Sequence, residues 1–124
     1  MDFDTSSPLW VQLLDRLQTR VVSGQWEPGQ KLPSVRELAV EFGVNPNTVQ
    51  RALTELDRIG LTATERTAGR FVTADARQAD QQRRRLATDA VDQCVGLLAD
   101  LGIDRDEAVE LFSSRWEHRA KEER

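Results

Sequence analysis

With 124 residues, 39% hydrophobic and 31% charged, the chain has room for one compact domain and a modest extension, which excludes a disordered or fibrous polymer. No apolar stretch approaches bilayer length, the acidic opening Met1-Asp2-Phe3-Asp4 is unlike a secretory leader, and the single cysteine, Cys94, excludes an internal disulfide or a cysteine metal cluster. The net charge is −4 and neither half is basic: residues 1–73 carry eight basic and nine acidic side chains, residues 74–124 nine and twelve, so affinity for a polyanion must come from where particular cations sit.

In chain order, Ser7-Pro8 predicts a helix start, with serine as N-cap and proline in the first helical position, where a missing N–H costs nothing. Leu9, Leu13, Leu14, Leu17 and Val21 keep helical spacing up to Gly24. A turn-rich stretch, Gln25 to Gln30, leads to Lys31-Leu32. Ser34-Val35-Arg36-Glu37 is a capping box that opens a second, short helix with Leu38, Ala39 and Phe42 on its apolar side, ended by Gly43. Only Val44 separates that stop from the next cap, Asn45, with Pro46 as the first residue of a third helix whose Val49, Ala52, Leu53 and Leu56 form its buried stripe.

Two short helices joined by so tight a glycine turn read as a helix-turn-helix. Leu61–Thr64 and Phe71–Thr73, flanking Thr67-Ala68-Gly69-Arg70, then predict a β-hairpin, which after the third helix makes a wing. A tail begins near Asp75. Leu86, Ala90, Cys94, Leu97 and Leu101 share one helical stripe that Val91, Val95 and Leu98 broaden; Gly102 stops this helix. Asp104 to Glu107 caps a last helix carrying Ala108, Leu111, Phe112 and Trp116. Two helices cannot hide so wide an apolar face by themselves, so it must cover the winged module, a second chain, or both. The expected architecture is mainly α with a small β-hairpin wing: a winged helix-turn-helix over residues 1–74 and a two-helix dimerisation tail over 75–124.

A helix N-terminus attracts phosphate through its free N–H groups, and the third helix places Asn45, Asn47 and Thr48 around that end. Asparagine and threonine donate to phosphates or read base edges; Gln50 suits adenine and Arg51 guanine, each through paired hydrogen bonds. Arg36, Lys31 and Arg70 add cations from the second helix, the loop and the wing. Acidity returns at Glu55, so contact is expected through the N-terminal half of the third helix.

From Pro8 to Val72 the chain resembles the winged helix-turn-helix of the bacterial GntR family, and most of all its short-tailed YtrA-like branch. The resemblance is carried by Pro28-Gly29, Lys31-Leu32-Pro33-Ser34-Val35-Arg36-Glu37-Leu38-Ala39, Val44-Asn45-Pro46-Asn47-Thr48-Val49, Arg51-Ala52 and Gly69-Arg70-Phe71-Val72. It implies a transcription regulator, in most members a repressor. A homodimer would set one recognition helix per subunit into successive major grooves of a pseudo-palindromic operator. It further implies that Arg36, the turn residues Asn45 to Thr48, and Gln50 with Arg51 approach DNA, that Gly69 reaches the minor groove, and that the tail dimerises or takes an effector. The wing departs from the family pattern at Glu65, Thr67 and Ala68, where a cation, a glycine and a basic residue are common. The tail is too short for the large effector domains of most members. Whether any small-molecule effector exists is left open, and the expected place of action is the bacterial cytoplasm, at the nucleoid.

Other readings are weaker. The only histidine, His118, lies in a charged run, Cys94 sits on an apolar stripe, and the acidic cluster at Asp104, Asp106, Glu107 and Glu110 is a capped helix start without a calcium-loop glycine. No glycine-rich phosphate loop is present, so neither catalysis nor a cofactor or metal is expected. The acidic net charge keeps one alternative open: a winged helix that binds protein and never meets DNA. Arg83-Arg84-Arg85 reads as a solvated helix face.

Overall fold

The computed structural model describes Phe3 and residues 5–123; the rest of the acidic opening (Met1, Asp2 and Asp4) lies outside the described residues. Five helices and one hairpin follow in the order α1 (Leu9–Val22), α2 (Val35–Phe42), α3 (Pro46–Arg58), β1 (Thr62–Glu65), β2 (Gly69–Val72), α4 (Ala76–Asp100) and α5 (Arg105–Glu122). Two compact units divide the chain, one ending at Arg84 and the other starting at Arg85.

In the first unit, α1 packs along α3 and α2 packs on α3. Their shared core holds Leu13, Leu17 and Val21 of α1, Leu38, Ala39 and Phe42 of α2, and Val49, Ala52, Leu53 and Leu56 of α3, closed by Leu61 and Val72. Trp26 and Leu32 join it from the α1–α2 connection, so that loop is anchored despite its turn-rich composition. Leu9, read as part of the same stripe, is exposed at 39% and stands outside this core. The first helix also starts one residue later than Ser7-Pro8 predicts. Pro8 is itself the N-cap, with ψ at 145° and no side-chain hydrogen bond, because proline fixes φ and leaves ψ free to stay extended.

The other start signals act as read. The Ser34 hydroxyl accepts from the Glu37 N–H at 3.1 Å while the Glu37 carboxylate accepts from the Ser34 N–H at 3.2 Å. Gly43 adopts a left-handed φ of 65°, and the Val44 N–H reaches back to the Ala39 carbonyl at 3.1 Å. This doubled-back ending satisfies the last carbonyls of α2 and turns the chain within two residues into Asn45.

The hairpin is antiparallel, with Thr62 opposite Val72 and Glu65 opposite Gly69. A third extended segment lies beside it: Lys31 pairs with Phe71, the Leu32 N–H donates to the Arg70 carbonyl at 2.8 Å, and the Val72 N–H donates to the Gln30 carbonyl at 2.9 Å. The wing is thereby tied to the segment that leads into α2.

The first turns of α4, read from sequence as part of the tail, belong with the winged unit. Gln78 Nε2 donates to the Ile59 carbonyl at 2.7 Å, and Gln82 Nε2 donates to the buried Gln18 Oε1 at 2.7 Å. In the second unit no side chain of α4 or α5 is buried. An apolar cleft of about 300 Å³ runs between them, lined by Val91, Cys94, Val95, Leu98, Val109 and Phe112.

Arg20 clasps α1 to α2. Its guanidinium lies 4.7 Å from the Phe42 ring centre and 5.3 Å from that of Trp26, and its N–H groups bond both carboxylate oxygens of Glu41. The hydrogen bond from Arg20 holds the Glu41 carboxyl below the ordinary range. Because Glu41 is exposed while Arg20 is largely covered, the ring contacts should outweigh the ion pair. Arg20→Ala is expected to cost about 1–2 kcal/mol and Glu41→Gln under about 1 kcal/mol, read from urea midpoints. Equal losses would show that the ion pair carries the clasp.

Candidate nucleic-acid interface

Burial of Val49, Ala52, Leu53 and Leu56 fixes the rotation of α3. Each residue turns the helix by about 100°, so Asn47, Arg51, Thr54 and Arg58 form the stripe opposite the core, with Gln50 turned toward the wing. Asn45, Pro46, Asn47, Gln50 and Arg51 are all exposed, and Thr48 is half-buried. Asn45 Oδ1 accepts from the Asn47 N–H at 2.8 Å, so this side chain is engaged in capping, and Pro46 occupies the first helical position. The leading end of α3 therefore stands in solvent.

Between this helix and the wing lies a groove of about 510 Å³. Lys31, Ser34, Gln50, Gly69 and Arg70 line it, five residues drawn from three separate stretches of sequence. Glu37 and Thr64 line it as well. Among the described residues the Gln50 side chain makes only a long contact, Nε2 donating to the Thr54 hydroxyl at 3.4 Å, which leaves most of its amide available. Lys31 crosses directly over Gly69: a Cβ there would stand 2.8 Å from the lysine Cε, and Gly69 also has a φ of 108°. The backbone conformation favours glycine here, and a larger residue would also oblige the flexible end of Lys31 to move aside. Ser34 is occupied as the cap of α2, and Arg36 is exposed on the first turn of that helix, outside the groove lining.

Arg70 differs from the free cation its sequence position suggests. Its Nε and Nη2 donate to Asp57 at 3.1–3.2 Å, and Asp57 also accepts from the hydroxyls of Thr62 and, at 2.8 Å, Thr64. Burial pushes the Asp57 carboxyl up, but the hydrogen bonds from Arg70, Thr62 and Thr64 outweigh it and leave the carboxyl below its ordinary value. This cluster ties the wing to α3, and the charge of Arg70 is matched inside the chain. Alternation along the strands could have signalled it, since Thr62, Thr64 and Arg70 share one side of the hairpin. Arg51 also has a partner the sequence did not suggest: its guanidinium carbon lies 4.3 Å from the ring centre of Trp10 on α1. Thr54 and Arg58 extend the outward stripe beyond the N-terminal half; Arg58 is paired with Glu55.

Of the residues expected in the tail seam, Val91, Leu97, Leu101 and Phe112 are 51%, 61%, 76% and 51% exposed. Ala90 is exposed too, while Leu86, Cys94 and Leu98 are half-covered. Phe112 stacks on Trp116 with ring centres 5.8 Å apart. Asp104 caps α5, its side chain accepting from the Glu107 N–H at 2.9 Å.

Residues 9–72, over half of the chain, match the model of the bacterial regulatory proteins of the gntR family. The chain belongs to the GntR family. Its members are transcription regulators rather than enzymes. Among similar proteins is the HTH-type transcriptional repressor YtrA of Bacillus subtilis, 39% identical over 62% of this chain and 59% of its own length. A GntR family transcriptional regulator from Listeria monocytogenes superposes with a TM-score of 0.84 at 34% identity, covering 90% of this chain and 98% of that one. The DNA-binding domain of AraR in complex with operator ORR3 is a third, with a TM-score of 0.53 at 27% identity over 59% of this chain and 88% of that one. The GntR chain described here therefore has the winged fold that its sequence pattern implies.

Removing the wing clasp has a defined signature. Asp57→Asn should lower stability by about 2 kcal/mol, because Arg70 and two hydroxyls lose a charged acceptor. The contribution of a carboxylate with a depressed folded-state pKa is present above the ordinary aspartate value and lost as pH falls through the lowered one. Thermal melts of the parent and Asp57→Asn should therefore differ at neutral pH and converge in strong acid. A constant gap down to acid would mean that the clasp does not depend on the charge of Asp57.

Proposed function

We propose that this GntR-family regulator binds a pseudo-palindromic DNA operator as a homodimer, acting as a repressor at the nucleoid of the bacterial cytoplasm. The observation that carries the reading is the solvent-facing leading end of α3, where Asn47, Gln50 and Arg51 stand clear of the core. The exposed Asn47 amide suits a phosphate, while the glutamine and arginine suit base edges. Lys31 and the wing flank the same groove, and Arg36 adds an exposed cation on α2. The AraR complex supports the reading, since a similar domain there meets operator DNA.

Dimerisation is supported by the tail. Leu97 and Leu101 are more than half exposed in the single chain, as are Val91 and Phe112. So many large apolar side chains left in water on one helix pair favour a surface that a second copy covers. Two copies meeting through residues 86–112 would bury it and bring two α3 helices into one molecule, as two half-sites demand.

In vitro selection from random duplexes should yield a two-fold symmetric consensus, with affinity that falls as salt rises. Arg36→Ala combined with Arg51→Ala should weaken binding to that consensus by about a hundredfold or more, read by fluorescence anisotropy, with an unchanged circular dichroism melt. Unchanged affinity would displace the interface from this face. Leu97→Asp should leave each chain folded but turn the dimer into a monomer in light scattering, because the carboxylate would be buried only in the assembled seam. A dimer that survives this substitution would place the seam elsewhere.

A further inference from the structure

Trp10 belongs to α1, and its side chain is only half-buried. It is absent from the leucine core that α1 contributes, and the indole faces the outer edge of α3 instead. There it meets Arg51 at 4.3 Å, while Arg51 makes no close ion pair among the described residues and feels the Glu55 carboxylate one turn on only at longer range. A guanidinium over an indole is held by its flat face, through attraction to the ring quadrupole, and this leaves its N–H edge free to donate. Arginine has several rotatable bonds, and an exposed one samples many rotamers that must be frozen when it meets a base. A stacked one is already ordered. Gln50, one residue earlier, has no such support and faces the groove.

From this geometry we infer that Trp10 is a positioning residue for base recognition: it holds Arg51 with its donor edge toward the duplex and so sets the preference for guanine at one base pair of each half-site. The inference rests on the operator-binding reading above. Trp10 itself touches no base in this scheme, and its effect passes through Arg51 alone.

The test compares the full-length parent with Trp10→Phe, Trp10→Leu, Arg51→Ala and the Trp10→Leu/Arg51→Ala double variant. Each is measured by anisotropy against the selected consensus and against duplexes changed at single base pairs. Trp10→Leu is expected to bind the consensus about fivefold more weakly. It should flatten the preference at the same base pair that Arg51→Ala flattens and leave the other positions unchanged. Trp10→Phe, which keeps a ring face, should retain most of the preference. In the Arg51→Ala background, Trp10→Leu should cost nothing further. A uniform loss across all base pairs, or losses that simply add in the double variant, would overturn the inference and leave Trp10 a packing or phosphate-contact residue. Trp10→Phe carries the same test should Trp10→Leu not fold: a Phe variant that loses the guanine preference completely would count against a ring-face contact. A parent that binds while Trp10→Leu keeps its full preference overturns this inference alone; a parent that retains no duplex overturns the operator reading together with it.

Discussion

The seam between α1 and α3 governs everything outside it. Leu13 and Leu17 on one side and Val49, Ala52, Leu53 and Leu56 on the other are almost fully excluded from water. A close-packed seam of this kind admits one rotation of α3, since a turn of even one residue would bring polar side chains inward. Which residues remain for solvent is therefore decided by what is buried. Asn47, Arg51 and Thr54 are outermost because Val49, Leu53 and Leu56 are not. The small side chain of Ala52 lets the helices approach, and the short turn at Gly43 leaves α2 no slack to reorient.

An acidic chain presenting a face for an anion is less contradictory than its net charge of −4 suggests. In the winged unit the carboxylates are largely engaged within the chain: Glu41 by Arg20, Asp57 by Arg70, Glu55 by Arg58, and Glu37 by the backbone of Ser34. Lys31, Arg36 and Arg51 stand on the exposed surface, as the proposed operator contact requires. At physiological salt, charge acts over only about 8 Å, so the local arrangement outweighs the total.

Local chemistry was legible in the sequence and tertiary partnership was not. Ser34 with Glu37, Gly43, and Asn45 with Pro46 act through bonds spanning a few residues, so spacing alone revealed two helices and the turn between them. The hairpin and the two-helix tail were legible in the same way, although Gly69 and Arg70, expected in the turn, open β2 because they pair with Glu65 and Thr64. By contrast, Lys31 pairing with Phe71, Gln18 bonding Gln82, and Trp10 meeting Arg51 join positions about forty to sixty residues apart. No periodicity records such meetings. Arg70 is the instructive case: its residue type suggested a free cation, yet the partner that occupies it, Asp57, sits on a different element. Pro8 is a smaller one, a residue that suits a helix start but lies just outside it.

Because the outward stripe of α3 adds nothing to the core, its side chains can be exchanged with little effect on folding; surface positions of this kind usually move stability by no more than about 0.5 kcal/mol. If that stripe reads DNA as proposed, the scaffold and its reading head are separable in evolution, and new target preferences can arise by drift at positions 47, 50 and 54 without passing through an unfolded intermediate. Position 51 is the exception. Tethered to an indole on another helix, it can change freely only if residue 10 changes with it, so these two positions should vary as a couple among descendants of this chain.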